Sequence, residues 1–241
     1  MALKLDHILR MLRDPECPRV LTPMDIKQWF AMSDIALSEA TQKRWVARMR
    51  DSGLIKPVRR GLYLNALAQP PVQPDEAGSY LCRGAIVSLQ KVLGDAGVLN
   101  NFTSWVTCIV ALPPEKKEGE NNPFGFAQPS TGKVETQVGS FSFQALPFSL
   151  VYQAGALDDC LEVLPYQRAT PEKAFLDWLY LGSTSRSHMT LPPLDLDFEQ
   201  LNQARLDRLA KKMGLENALI QWKAGKKTYD LAPGARFNAP R

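Results

Sequence analysis

The chain has 241 residues, 45% hydrophobic and 22% charged, with a net charge of +4, a balance that excludes wholesale disorder and fits a folded globular protein. The charge is uneven, since residues 1–70 carry 12 Lys+Arg against 7 Asp+Glu and the remainder 17 against 18. Two histidines, His7 and His188, and four separated cysteines, Cys17, Cys82, Cys108 and Cys160, give no metal-ligand spacing, and no run of about 18 apolar residues indicates a membrane span.

An apolar signal core is also missing at the N-terminus, so four reduced thiols in a cytoplasmic protein are expected. No metal, cofactor or membrane partner is expected. Leu5, Ile8, Leu9 and Leu12 recur at helical spacing over Leu3 to Arg13, and Asp14-Pro15 ends that first helix. Thr22-Pro23 opens a second with a cap and a proline at the first helical position.

Ser38 is the next N-cap candidate, for a helix that runs to Ser52 and stops at Gly53. On a helical wheel Gln42, Trp45, Val46 and Met49 share one face, which packs on the first two helices. Thr41, Arg44, Ala47, Arg48 and Asp51 share the other, which faces solvent or a ligand. Leu54 to Val58 and Leu62 to Asn65 are short extended runs joined by Arg59-Arg60-Gly61, a hairpin whose glycine accepts the angles of a tight turn. Pro57, without an amide proton, places its strand at an edge.

The 28 residues from Ser38 to Asn65 hold seven cations, Lys43, Arg44, Arg48, Arg50, Lys56, Arg59 and Arg60, against Glu39 and Asp51. That excess points to a polyanion. Three helices followed by a basic hairpin is the order of a winged helix-turn-helix, in which the third helix enters the major groove and the hairpin reaches phosphates beside it. Thr41, Arg44 and Arg48 are then the base-contact candidates. Lys56, Arg59 and Arg60 are wing contacts whose contribution falls with salt. Tyr63 meets the sugar-phosphate backbone or packs under the wing, and Lys43 and Arg50 can lean onto phosphates.

Three prolines in Ala68 to Asp75 read as a stiff linker, so the expected division is a DNA-binding domain over 1–68, a linker over 69–75 and a second domain over 76–241. In that second part a helix is expected over Gly78 to Leu93, closed by Gly94. Strands are expected at Trp105 to Leu112, Val134 to Val138, Ser140 to Leu146 and Leu161 to Leu164, with a loop over 115–132. Thr170-Pro171-Glu172 opens a helix ended by Gly182. Asp197 caps another from Phe198 to Met213, with Gly214 as its stop, and a short helix over Asn217 to Lys223 precedes a basic tail. The fold class is α+β, an N-terminal winged helix-turn-helix domain plus a larger mixed α/β C-terminal domain.

Catalysis is not expected. Gly78-Ser79, Gly139-Ser140 and Gly182-Ser183 do not lead into the paired carboxylates that a nucleotidyltransferase needs for Mg²⁺. Asp195 and Asp197 form a D-x-D lying over ten residues beyond the last of these, in a Pro-rich stretch where capping of the next helix explains Asp197 better, and no phosphate-binding, esterase or metalloprotease motif is present.

Three segments in order, GLIKPVRRGLYLN at Gly53 to Asn65, AIVSLQKVLGDAGVL at Ala85 to Leu99 and ATPEKAFLDWLYL at Ala169 to Leu181, are similar to motifs of the AbiEi family of antitoxins from bacterial type IV toxin–antitoxin systems. The resemblance covers most of the chain outside the 115–132 loop and the tail. It implies an autorepressor that binds double-stranded DNA at its own promoter, as inverted repeats, through the N-terminal winged helix. It also implies a C-terminal domain that opposes a neighbouring nucleotidyltransferase-like toxin without a stable complex. The family's recognition helix commonly carries small hydroxyl residues near its start, and this chain departs from that pattern, with only Ser38 and Thr41, beside Gln42, filling the description, so the resemblance leaves open which side chains touch bases. Two alternatives remain open: a stand-alone transcription regulator whose C-terminal domain senses a ligand or partner, and an antitoxin that grips its toxin directly.

Overall fold

A computed structural model describes residues 5–32, 37–100, 103–112 and 131–231. Nearly all of the loop expected over 115–132 and residues 232–241 of the basic tail lie outside these. The described fold is α+β, with two antiparallel or mixed sheets and ten α-helices among the described residues.

The N-terminal part runs α1 (Leu5–Arg13), β1 (Val20–Leu21), α2 (Pro23–Met32), α3 (Glu39–Asp51), β2 (Ile55–Arg59) and β3 (Leu62–Asn65). All three expected helices and the hairpin are present. The strands form an antiparallel sheet in the order β1-β3-β2, which leaves β2 with its Pro57 at an edge. Two-residue β1 is an addition to the expected hairpin, too short to show a period in the sequence. Gly61 closes the hairpin at φ +77°, and a Cβ there would stand 3.5 Å from the Pro23 ring, so the turn abuts the start of α2.

Strand alternation divides this sheet between two cores. Leu21 and Ile55 pack with Ile8, Leu12, Ile26, Phe30 and Met49 of the three helices, and Tyr63 leans on the same cluster. Val20, Val58, Leu62 and Leu64 instead belong to the core of the C-terminal part. Buried Asn65 secures the corner by donating from Nδ2 to the Leu12 carbonyl (2.8 Å) and accepting the Leu67 amide (3.0 Å).

Residues 69–75, expected as a linker, lead into a 3-10 turn over Pro74–Ala77 in which Asp75 and Glu76 are buried. Glu76 receives Arg19 at 2.7 and 2.8 Å. Asp75 lies 3.3 Å from Lys91 and 3.4 Å from Arg168, which also meets Asp95 at 2.8 Å and Glu162 at 3.0 Å. Ion pairs therefore join the sequence on both sides of this segment.

The expected helix over Gly78 to Leu93 is instead broken into α4 (Gly78–Leu81), β4 (Ile86–Val87) and α5 (Leu89–Asp95). Gly84 takes φ +75° and Leu89 φ +60°, neither compatible with a continuous helix, and Ile86 and Val87 pair with the next strand. That strand, β5 (Trp105–Leu112), runs parallel to β7 (Gly139–Pro147), and β6 (Gly132–Thr136) flanks β7 antiparallel, giving the order β4-β5-β7-β6. Phe141 and Phe143 point into the core as their alternation predicts.

Short helices α6 (Phe148–Tyr152) and α7 (Leu157–Cys160) follow. The strand expected at Leu161 to Leu164 is reduced to a single bridge from Leu161 to Ala169, since Val163 and Leu164 are exposed and pair with no neighbour as a ladder. Helix α8 (Pro171–Ser183) begins as expected, with Thr170 Oγ1 accepting the Lys173 amide. Gly182 does not stop it. A Cβ at that position would come within 2.7 Å of the Leu191 backbone, so the glycine serves close approach of the following chain.

The helix expected from Asp197 begins later, because Phe198–Gln200 is a 3-10 turn and Asn202 is the cap of α9 (Gln203–Met213). Asp197 binds the Gln200 amide group instead, at 2.6 Å. Gly214 takes the left-handed position after α9, as expected. The last helix, α10 (Glu216–Leu231), is longer than the expected one and buries Trp222 against Phe175 and Phe198.

Candidate functional site

Helix α3 owes its position to its two ends and one buried residue. Ser38 Oγ accepts the Thr41 amide (3.3 Å) and lies 2.9 Å from Thr41 Oγ1, so the two hydroxyls expected near DNA also form the N-cap. At the other end the Ser52 amide returns to the Arg48 carbonyl (2.9 Å) and Gly53 takes φ +73°. Met49 is buried among α1, α2 and β2, whereas Trp45, Val46 and Gln42 are only half-buried.

Between α2, α3 and the β2–β3 turn lies a groove of about 740 Å³. Gln42, Lys43, Arg60 and Tyr63, all expected at the site, line it together. Arg50 of α3, expected with Lys43 to lean onto phosphates, also lines it, and so does Lys27 from α2, which the expected set lacks. Arg50 carried a signal as a long side chain beside the apolar face of its helix. Lys27 carried none, because only the packing of α2 beside α3 brings it to the groove.

Ala47 and Val46 also line the groove, so the side of α3 turned toward the hairpin is mixed and only Met49 is fully within the helical core. Arg44 is exposed and makes no hydrogen bond or ion pair among the described residues, and the same holds for Lys56 and Arg60. Arg48 stacks over the Trp45 ring at 5.3 Å, away from the groove. Lys43 meets Glu39 one helical turn earlier at 2.7 Å, and this contact holds the Glu39 carboxyl below its ordinary range.

Arg59 differs from its neighbour. Its guanidinium donates to the Tyr80 carbonyl at 3.4 Å, toward the C-terminal part, and the Val58 carbonyl in the same strand accepts the Gln137 amide at 3.0 Å from the β6–β7 turn. One flank of the hairpin is thus braced, and Arg60 is its freer cation.

Glu172, Lys173 and Asp177 of α8 are all buried. Lys173 donates to Asp177, which also receives Ser88 Oγ at 2.8 Å, and Glu172 accepts the Asn202 amide (2.7 Å) and Arg205 (3.2 Å). Burial pushes the Asp177 carboxyl up, with Lys173 and Ser88 opposing that shift. These contacts bind α5, α8 and α9 to one another. All four cysteines are free and buried, and burial raises the Cys17 thiol to about 12, outside the range of a reactive thiolate. No described helix is long and apolar enough to cross a membrane.

Comparison with known proteins gives one structural likeness. The crystal structure of the RV2827C protein from Mycobacterium tuberculosis aligns over 92% of this chain and 80% of that one, with a TM-score of 0.48 and 14% identity. No protein-family model matches the chain, and no curated protein matches it.

Proposed function

We propose that the chain is a DNA-binding antitoxin of the AbiEi type, which represses its own operon through an N-terminal winged helix-turn-helix and opposes a nucleotidyltransferase-like toxin through its C-terminal part, with no catalysis of its own. The observation that carries the DNA-binding half is the pairing of α3 with the basic hairpin across a groove whose lining holds Lys27, Lys43, Arg50 and Arg60 against Glu39 alone. The element order from α1 to β3 and the sheet order β1-β3-β2 suit a winged helix, with α3 as the reading helix.

In this reading Arg44 meets base edges in the major groove, Arg48 and Thr41 flank it, and Arg60 and Lys56 neutralise phosphates. Ser38 and Gln42 act at the helix start, Ser38 as a cap whose hydroxyl stays exposed and Gln42 partly held by the Leu37 carbonyl at 3.1 Å. The partner is double-stranded DNA at the chain's own promoter, and the toxin is a functional partner held in no stable complex. The antitoxin half of the proposal rests on the three family-like motifs.

A second reading, a regulator whose C-terminal part senses a ligand or partner, is favoured by the hairpin sharing a core with that part through Val58, Leu62 and Leu64. Loss of toxin neutralisation as the sole effect of a C-terminal lesion favours the first reading. Altered promoter affinity from the same lesion favours the second.

The test is a mobility-shift titration of the full chain against the duplex upstream of its own gene and a shuffled duplex of equal composition. A preference on the order of 10³-fold for the upstream duplex is expected. Equal affinity for both would contradict autorepression.

A further inference from the structure

The groove beside α3 is built for a chain of anions more than for a single one. Lys43 and Arg50 lie seven residues apart on one side of α3, a separation of about 10 Å along the helix axis. With Lys27 and Arg60 they make four cations, more than the one or two charges of a single phosphate neutralise. Lys27 enters from α2, and Arg60 enters from the hairpin turn. Neither makes a hydrogen bond or ion pair among the described residues.

The two α3 cations each have a local acid. Lys43 meets Glu39, and Arg50 meets Asp51 at 2.8 Å, with both pairs exposed. Exposed pairs of this kind are held only weakly, so either cation can exchange its carboxylate for a phosphate. Beneath the charged rim the lining is apolar, from Pro23, Ile26, Val46 and the half-buried Tyr63. A rim of cations over an apolar floor fits a sugar-phosphate strand, whose phosphates are charged and whose deoxyribose faces are not. Arg44 lies one residue on from Lys43, about 100° further round the helix, and stays outside this groove.

We infer that the groove cradles one sugar-phosphate strand of duplex DNA, with Lys27, Lys43, Arg50 and Arg60 as its phosphate ligands, while Arg44 remains free for base edges. The inference rests on the DNA-binding reading above and adds α2, through Lys27, to the contact surface. It also assigns Glu39 the role of an opposing charge at the mouth of the groove.

The experiment is fluorescence anisotropy of the full chain with the upstream duplex and with a shuffled duplex, each over a salt series. Lys27→Gln/Arg50→Gln is expected to weaken both duplexes by the same factor and to make the slope of log K against log salt shallower by about two units. Glu39→Gln is expected to tighten binding to both. Thermal melts of all variants should match wild type, since these side chains are on the surface.

An unchanged slope in Lys27→Gln/Arg50→Gln, with wild type still preferring its own duplex, would overturn the cradle and leave the DNA-binding reading standing. The same would follow if that variant lost sequence preference while keeping its general affinity. Wild type without affinity for either duplex would remove both readings.

Discussion

Replacing Lys173 by Met is expected to destabilise the fold by about 3–5 kcal/mol, because it leaves Asp177 as an uncompensated buried acid. Lys173 is 2% exposed and Asp177 fully buried, so water cannot take over the lost contact, and Ser88 offers only one hydroxyl. Asp177→Leu should cost a similar amount for the opposite reason, an ammonium left without its carboxylate. The double change Lys173→Met/Asp177→Leu should recover much of the loss, since an apolar pair avoids the desolvation that the ion pair must overcome. Chemical denaturation of the four proteins checks this, and additive losses in the double variant would contradict a coupled pair.

The second large effect concerns the boundary after residue 68. A segment comprising residues 1–68 alone is expected to lack a cooperative melt, although its three helices have a core of their own. Cutting there exposes Val20, Val58, Leu62 and Leu64, now buried against the C-terminal part. At about 1.5–3 kcal/mol for each buried aliphatic side chain, the loss is on the order of 10 kcal/mol. That equals the whole stability of a typical domain. The cut also removes Glu76, the partner of Arg19, and Gln137, the donor to the Val58 carbonyl. A sharp thermal transition with dispersed amide resonances in the isolated segment would contradict a shared core.

This coupling bears on function, since the hairpin that is proposed to touch DNA is braced from behind. Arg59 and Val58 are held by Tyr80 and Gln137, so the C-terminal part fixes where Arg60 stands. A bound partner that shifts the β6–β7 turn would act on the hairpin through that contact.

Local signals in the sequence were read most clearly where capping and turn chemistry settle the backbone. Ser38, Gly53, Thr170 and Gly214 all stand where their chemistry places them. The errors have physical causes. Ile86 and Val87 carry the apolar spacing of a helix as well as that of a strand, and only pairing with β5 decides between them. Gly182 has the look of a helix stop, but it meets a requirement of packing against Leu191, which is remote from any local pattern.

Asp197 and Asn202 are both good caps, and the buried Glu172 carboxylate accepting the Asn202 amide favours the later one. At the candidate site the cations of α3 and the hairpin were legible as a cluster. Which of them share a groove was not, because Lys27 reaches it from another helix and Arg59 turns away to Tyr80.

The central claim is that α3 reads base sequence, and guanine-methylation interference on the upstream duplex tests it most directly, with wild type compared against Arg44→Ala/Arg48→Ala. The expected result is that wild type is blocked by methylation at a small set of guanines in one major-groove segment. The double variant should lose both that block and its preference over shuffled DNA, at about 1–3 kcal/mol for each base contact removed. A double variant that keeps the wild-type interference pattern and preference would contradict the account.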